Sequence, residues 1–238
     1  MKKKRILLIF LSISFCLNLN AQIKLIPTPQ KVVYGNSNFT IDENTKIVRH
    51  RLDSFYVNQL STFVTQELGV TLNQVKRAKS KHIEFIKVAT SGKRKAIMRA
   101  NSLDPDFNIG TEGYVINVTT QTIQVISQSD AGIFYGIQTL KQLIVANRVG
   151  NNVPCLVIYD YPDIPVRAWQ DDISRGPIPT MEMMKEQIEK MASYKLNHSS
   201  LYIEHAFKLE QHPGIAPKDG ITKAAIEELS AFAKKHHV

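Results

Sequence analysis

Cysteine is scarce in this chain, which has two in 238 residues, Cys16 and Cys155. Because Cys16 lies in a segment that we predict to be removed, the remaining chain cannot form an internal disulfide. The sequence also lacks a His-Glu-x-x-His pair, a glycine-rich phosphate loop and a Gly-x-Ser-x-Gly turn. We therefore predict no cofactor and no metal site, and a buried apolar environment for the Cys155 thiol.

Long hydrophobic runs are missing too. The apolar run at residues 6–17 is short for a membrane span. Four basic residues precede this run, and Leu19-Asn20-Ala21 after it fits a small-residue cleavage site. We predict a bacterial signal peptide over residues 1–21 and a periplasmic or secreted protein with no membrane span. Acylation of Cys16 in a lipoprotein is the alternative, which the bulky Phe15 before it disfavours.

Acidic residues are outnumbered, 21 against 30 basic residues, for a formal net charge of +9. The predicted signal peptide holds four of the basic residues, which leaves 26 against 21 and a net charge of +5. The remaining basic clusters, at residues 76–81 and 93–95, have no interleaved aromatic residues. A nucleic-acid partner is therefore not predicted, and a solvated surface is the better interpretation.

Residues 22–152 mix strand and helix patterns, which predicts an α/β sandwich as the first domain. Two amphipathic helices are predicted, one at residues 52–68 that stops at Gly69 and one at residues 131–146 capped by Asp130. Strands are predicted at residues 31–34, 45–48, 82–88, 112–118 and 122–127. We interpret residues 35–38 as a turn and residues 90–108 as mostly loop.

Residues 153–238 begin differently, with a strand at residues 166–173, a helix capped by Thr180 and a strand at residues 197–204. A strand-helix-strand unit of this length is a right-handed parallel crossover. Ionisable residues gather where both strands end, which is where a (β/α)8 barrel keeps its chemistry. A second helix follows at residues 222–235. A barrel needs eight strands, so we predict a truncated (β/α)8 barrel of about two strands and two helices.

The same stretch carries motifs in a recognisable order. Asp160-Tyr161-Pro162, Arg167-Ala168 with Asp172 and Arg175, and Lys195-Leu196-Asn197 resemble D-x-P, R-G-x-x-x-D-x-x-R and K-x-N at the start of the catalytic barrel of glycoside hydrolase family 20. That family comprises the β-N-acetylhexosaminidases. Three segments upstream resemble parts of the first domain of that family. They are Leu25-Ile26-Pro27-Thr28-Pro29-Gln30, Glu112-Gly113-Tyr114 and the segment from Gly132 to Leu143.

Two departures from the family pattern are visible. Ala168 stands where the family has glycine, and Leu201-Tyr202-Ile203-Glu204-His205 replaces the usual W-H-L-x-D-D ending of the second strand. This form resembles a divergent branch of the family, which leaves open whether the substrate must carry an acetamido group.

The resemblance implies a secreted glycoside hydrolase that removes terminal N-acetylhexosamine, GlcNAc or GalNAc, from glycans by a substrate-assisted retaining mechanism. The family's catalytic Asp-Glu pair ends the fourth barrel strand, so we expect it beyond Val238 and expect this chain alone to be inactive. The resemblance assigns sugar binding to Arg167, with Asp172, Glu204 and His205 as further candidates. The alternative role is a structural ion pair, which for Arg167 would be formed with Asp171 or Asp172.

Two other functions are compatible with parts of the sequence. A non-catalytic secreted carbohydrate-binding or scaffold domain would use the surface of the first domain. A metalloprotease-like domain is disfavoured because the metal motif is missing, although His198, Glu204, His205 and His212 are close in sequence. His198 and His205 lie an odd number of residues apart, so in a strand they would face opposite sides.

Overall fold

The computed structural model describes residues 23–238, and the predicted signal peptide lies outside the described residues. The fold is mixed α/β, as predicted. The strands are β1 (Lys31–Thr40), β2 (Lys46–Val48), β3 (Asn73–Val75), β4 (His82–Lys87), β5 (Tyr114–Val118), β6 (Thr122–Ser127), β7 (Asn152–Asp160), β8 (Ala168–Asp172) and β9 (His198–Tyr202). The helices are α1 (Ser54–Leu68), α2 (Ser91–Ala100), α3 (Asp130–Asn147), α4 (Met181–Ser193) and α5 (Lys223–Lys235), with a 3-10 turn at Glu204–Ala206.

Seven strands form one sheet in the order β1-β7-β5-β6-β4-β2-β3. The strands β6, β4, β2 and β3 run parallel, whereas β5 is antiparallel to β6 and β7. Helices α1 and α3 cover one face, where Ile116 packs, and α2 covers the other, where Val115 packs. Both faces are therefore apolar, and neighbouring residues of β5 point to opposite layers.

Two local predictions are wrong. Residues 35–38 do not turn the chain: β1 continues through them with an irregular register and pairs again with β7 from Asn38 to Thr40. Residues 91–100, predicted as loop, form α2, because Thr90 caps the helix by accepting a hydrogen bond from the Lys93 amide and because Met98 is fully buried. At α3, Ser129 is the capping residue and Asp130 is the first helical residue.

The predicted boundary between residues 152 and 153 falls at the start of β7. This strand pairs with both β1 and β5, so the seven-stranded sheet extends to Asp160. Cys155 is buried in β7, and burial raises the pKa of its thiol.

A second sheet contains β8 and β9, which are parallel and joined by α4. Helix α4 begins after the Thr180 cap, as predicted, and buries Met184, Ile188 and Met191 in a core that it shares with α5. Trp169 on β8 is 52% exposed. No helix among residues 23–238 has the length and apolar character that a membrane crossing needs.

Candidate functional site

The carboxyl ends of β8 and β9 meet at one edge of the second sheet. Asp172 is the last residue of β8 and pairs in register with Tyr202, the last residue of β9. Parallel strands joined by a helix end on the same side, so the loops that follow them share this edge. The edge therefore gathers Asp172, Arg175, Tyr202, Glu204 and His205, and we name these five residues the carboxyl edge.

Asp172 organises the turn after β8. Its Oδ1 accepts hydrogen bonds from the Ser174 hydroxyl at 2.6 Å and the Ser174 amide at 3.0 Å, and these bonds lower the pKa of the Asp172 carboxyl. The other oxygen, Oδ2, lies 3.7 Å from Nε of Arg175. The Arg175 side chain is 82% exposed, so its remaining planar donors are available to a ligand.

Glu204 lies on the β9 side of the carboxyl edge and opens the 3-10 turn with φ at 36°. Its Oε1 accepts a hydrogen bond of 2.9 Å from the Tyr202 hydroxyl, and this bond and the Glu204 charge raise the pKa of Tyr202. His205 follows in the same turn and is exposed. The carboxyl edge thus offers carboxylates, a guanidinium, a phenol and an imidazole, the groups that bind sugar hydroxyls through hydrogen bonds.

Arg167 lies at the other end of β8. Its Nε donates to the Lys195 carbonyl at 2.6 Å, its Nη1 donates to the Ile164 carbonyl at 2.9 Å, and its Nη2 forms an ion pair of 2.6 Å with Glu112. The ion pair therefore joins Arg167 to the turn that leads into β5 of the first sheet, and not to Asp171 or Asp172. Because protein oxygens engage each of these guanidinium nitrogens, the geometry favours a structural contact at this position.

Asn197 completes the contact. Its Oδ1 accepts from the Arg167 amide at 2.8 Å, and its Nδ2 donates to the Pro165 carbonyl at 2.8 Å and to Glu112 Oε1 at 3.2 Å. Asn197 immediately precedes β9 and Arg167 immediately precedes β8, so the Glu112 carboxylate, in the turn before β5, binds the amino ends of both strands.

A buried ion pair lies beside this contact. Lys195 Nζ donates to Asp160 Oδ2 at 2.8 Å and to the Tyr114 hydroxyl at 2.7 Å, and Tyr114 itself donates to Asp160. Burial lowers the pKa of Lys195, against the opposing effect of Asp160. Lys195 also has φ of 64° and follows α4 at the position where glycine is usual. We name Glu112, Tyr114, Asp160, Arg167, Lys195 and Asn197 the junction cluster.

The junction cluster is the part of the site that sequence reasoning missed. Its residues belong to the motifs that carried the family resemblance, yet only Arg167 was given a role, and that role was sugar binding. Glu112 and Asn197 are 85 residues apart, and Asp160 and Lys195 are 35 apart. The available signal was a set of charged residues inside or beside apolar strands, where a charge requires a partner.

A metal centre is not formed by the described residues: from residue 23 to 238, no three His, Cys, Asp or Glu side chains are placed to hold an ion together.

Comparisons with known proteins agree with this architecture. Residues 22–161 match the family model described as "Glycosyl hydrolase family 20, domain 2". The "Beta-hexosaminidase" of Porphyromonas gingivalis is 26% identical over 197 residues, which cover 79% of this chain and 24% of that protein. The "Beta-hexosaminidase subunit A2" of Dictyostelium discoideum is 24% identical over 229 residues, which cover 91% of this chain and 40% of that protein.

Solved structures show the same fold. The Streptomyces plicatus N-acetyl-beta-hexosaminidase in complex with Thio-NAglucal superposes with a TM-score of 0.69 at 21% identity and covers 90% of this chain and 44% of that one. The Flavobacterium johnsoniae chitobiase gives a TM-score of 0.68 at 21% identity, with 91% and 34% covered. This chain therefore spans less than half the length of these proteins.

Proposed function

Because this chain belongs to glycoside hydrolase family 20, we propose that it is the amino-terminal part of a periplasmic or secreted enzyme that removes terminal N-acetylhexosamine from glycans. The observation that carries this proposal is the parallel pair β8–β9, whose carboxyl edge presents sugar-binding groups beside a first domain that matches the family. The printed names of the relatives, beta-hexosaminidases, support the substrate class.

The second sheet supports a longer protein. Two parallel strands alone leave both outer edges without a backbone partner in the described part of the chain, and parallel sheets are normally covered on both faces. The half-exposed Trp169 lies on this sheet. Further strands would close a (β/α)8 barrel over these surfaces, and the greater length of the relatives is consistent with that arrangement.

The carboxyl edge is the proposed sugar-binding surface. Arg175 supplies exposed planar donors for vicinal hydroxyls, and Asp172 holds the turn that carries it. Glu204 accepts a hydrogen bond from the Tyr202 hydroxyl, and His205 is the next residue in the same 3-10 turn. Glu204 and His205 can therefore bind a sugar ring that lies across the ends of β8 and β9. We propose that Arg167 supports this edge from the amino end of β8 and does not itself contact the sugar.

Cleavage requires groups that we place beyond Val238. In the mechanism that the family implies, the acetamido oxygen of the substrate attacks the anomeric carbon, an Asp orients the acetamido group and a Glu protonates the leaving oxygen. The carboxyl edge would then hold the terminal sugar while the pair from a later strand acts on the glycosidic bond. We expect the 238-residue chain alone to release no product.

A test of the sugar-binding role uses the full-length enzyme and an aryl β-N-acetylglucosaminide. Arg175→Met removes two or more charged hydrogen bonds to the sugar, so we expect kcat/KM to fall by about 100-fold. Arg77→Met, which changes an exposed arginine of the first domain, is the matched control and should leave kcat/KM within about twofold. A comparison with the aryl β-glucoside reports whether the acetamido group is required.

Two results would contradict the proposal at different levels. No turnover of any aryl β-glycoside by the full-length protein would remove the hydrolase assignment. Full activity of Arg175→Met would keep the hydrolase and remove the carboxyl edge as its sugar-binding surface.

A further inference from the structure

A groove separates the helices of the two sheets. It lies between α1 and α3 on one side and the last turns of α4 and α5 on the other, and its volume is about 990 Å³. That volume is in the range of sites for small ligands and short oligosaccharides. None of its lining residues belongs to the carboxyl edge or the junction cluster, so the groove is a separate site.

Gln138 on α3 supplies a polar group to the groove. The residue is 5% exposed and lines the groove, and its carboxamide is not among the fully enclosed polar atoms of residues 23–238 that lack a hydrogen-bond partner. The carboxamide can therefore exchange water in the groove for a hydrogen bond to a ligand.

Lys141 is the main indication of a ligand. It lies three residues after Gln138 on the same face of α3 and also lines the groove. Its ammonium donates to the neutral Gln59 Oε1 at 2.6 Å and lies 5.5 Å from the centre of the Phe63 ring. No carboxylate of the described chain lies within ion-pair distance, and burial lowers the pKa of Lys141 to about 8. The amine therefore makes no direct ion pair, and the charge of Glu189 only partly opposes the effect of burial on its pKa.

Most of the charged residues around the groove are basic. Besides Lys141, the lining contains Lys24, Lys190 and Lys235 against Asp53 and Glu189. His236 faces the groove from α5 with its Nε2 3.8 Å from Glu189 Oε1. Basic groups thus outnumber acidic ones, which favours an anionic ligand.

The remaining lining is rich in amide and hydroxyl groups, from Asn58, Thr62 and Gln66 on α1 to Tyr194 after α4. Such groups suit a ligand with many hydroxyls. We propose that the groove binds an acidic saccharide whose carboxylate accepts hydrogen bonds from Lys141 Nζ and Gln138 Nε2. The proposal does not depend on the hydrolase activity, because it concerns other residues, which on α4 lie near its carboxyl end.

The test is a titration of the chain, followed by ¹⁵N chemical shifts, with methyl β-D-glucuronide and with its neutral amide as the matched ligand. We expect the acid to bind at least about tenfold more tightly, the value of one charge-assisted hydrogen bond. The shifted amides should lie on α1, α3 and the last turn of α5. Lys141→Met and Gln138→Glu should each weaken binding of the acid by about tenfold or more, whereas Lys93→Met, an exposed lysine on α2, should leave it unchanged.

The pH dependence of binding shows whether the charge of Lys141 contributes to the affinity. Only the protonated amine attracts the carboxylate, so binding is complete below the pKa of Lys141 and weakens as the pH rises through about 8. We expect the affinity for the acid to fall several-fold to about tenfold between pH 7 and pH 9. Lys141→Met should abolish this dependence even though Glu189, Lys190, Lys235 and His236 remain.

Three results would overturn the proposal. Equal affinity for the glucuronide and its neutral amide would remove the anion site. Equal affinity for acetate would leave a carboxylate site with no role for the sugar. Shifts confined to the carboxyl edge would place the ligand elsewhere. Circular dichroism of each variant, with an unchanged spectrum and melting curve, shows that lost binding does not come from lost folding.

Discussion

Lys195→Met should lower the free energy of unfolding by about 3–5 kcal/mol, the largest loss that we expect from a single side chain in this chain. The change leaves the Asp160 carboxylate, 7% exposed, without its cation and deprives the Tyr114 hydroxyl of a donor. Methionine fills a similar volume, so the loss comes from the uncompensated charge. Urea unfolding followed by circular dichroism measures the effect through the midpoint and the slope.

The control for this prediction is Lys190→Met in α4, the helix that precedes Lys195. Lys190 is exposed, and its replacement should change the free energy of unfolding by no more than about 0.5 kcal/mol. Asp160→Asn in the Lys195→Met background removes the stranded charge and should restore a large part of the loss. A loss below about 1 kcal/mol for Lys195→Met would show that the pair contributes little and that water reaches it.

Gly113→Ala is the second large effect, an expected loss of at least about 3 kcal/mol. A methyl group on Gly113 would lie 2.6 Å from the Asp160 carbonyl oxygen and still closer to the Ile109 carbonyl. Both obstacles are backbone, and β5 and β7 must separate to accept the new group. Gly113 also holds its neighbours in place, since its carbonyl accepts from the buried Ser127 hydroxyl at 2.7 Å.

Gly92→Ala is the matched glycine control. A methyl group there meets nothing within 4 Å, and Gly92 lies within α2, where alanine is the better helix former. We expect a change within about 1 kcal/mol, with stabilisation as the favoured direction. Thermal melting of the two variants side by side tests the pair, and an unchanged melting temperature for Gly113→Ala would mean that β5 and β7 separate at little cost.

Elements with a regular apolar period were predictable. Helix α1 ends at Gly69 in the left-handed conformation, and α4 begins after its Thr180 cap, both as the sequence indicated. Helix α2 escaped prediction because its two buried residues are Arg94 and Met98, and a buried arginine breaks the apolar pattern. Strand β1 escaped because its irregular register at residues 35–38 has the composition of a turn.

The candidate site, too, could be predicted from the sequence only in part. The residues of the carboxyl edge could be placed from sequence, because a parallel crossover brings both strand ends to one side. The role of Arg167 could not be predicted from the sequence, because Arg167 lies at the opposite end of β8. Its partner, Glu112, is 55 residues away along the chain.

Local periodicity, capping residues and motif order were enough to predict the family, the mixed α/β class and the order of most helices and strands. The packing of the layers was needed to show that the charged motif residues meet as the junction cluster, and that Gln138 and Lys141 line one groove in which Lys141 makes no direct ion pair. The reason is physical: the energy of a buried charge depends on partners that the chain brings from far away, and burial itself exists only after the layers have packed.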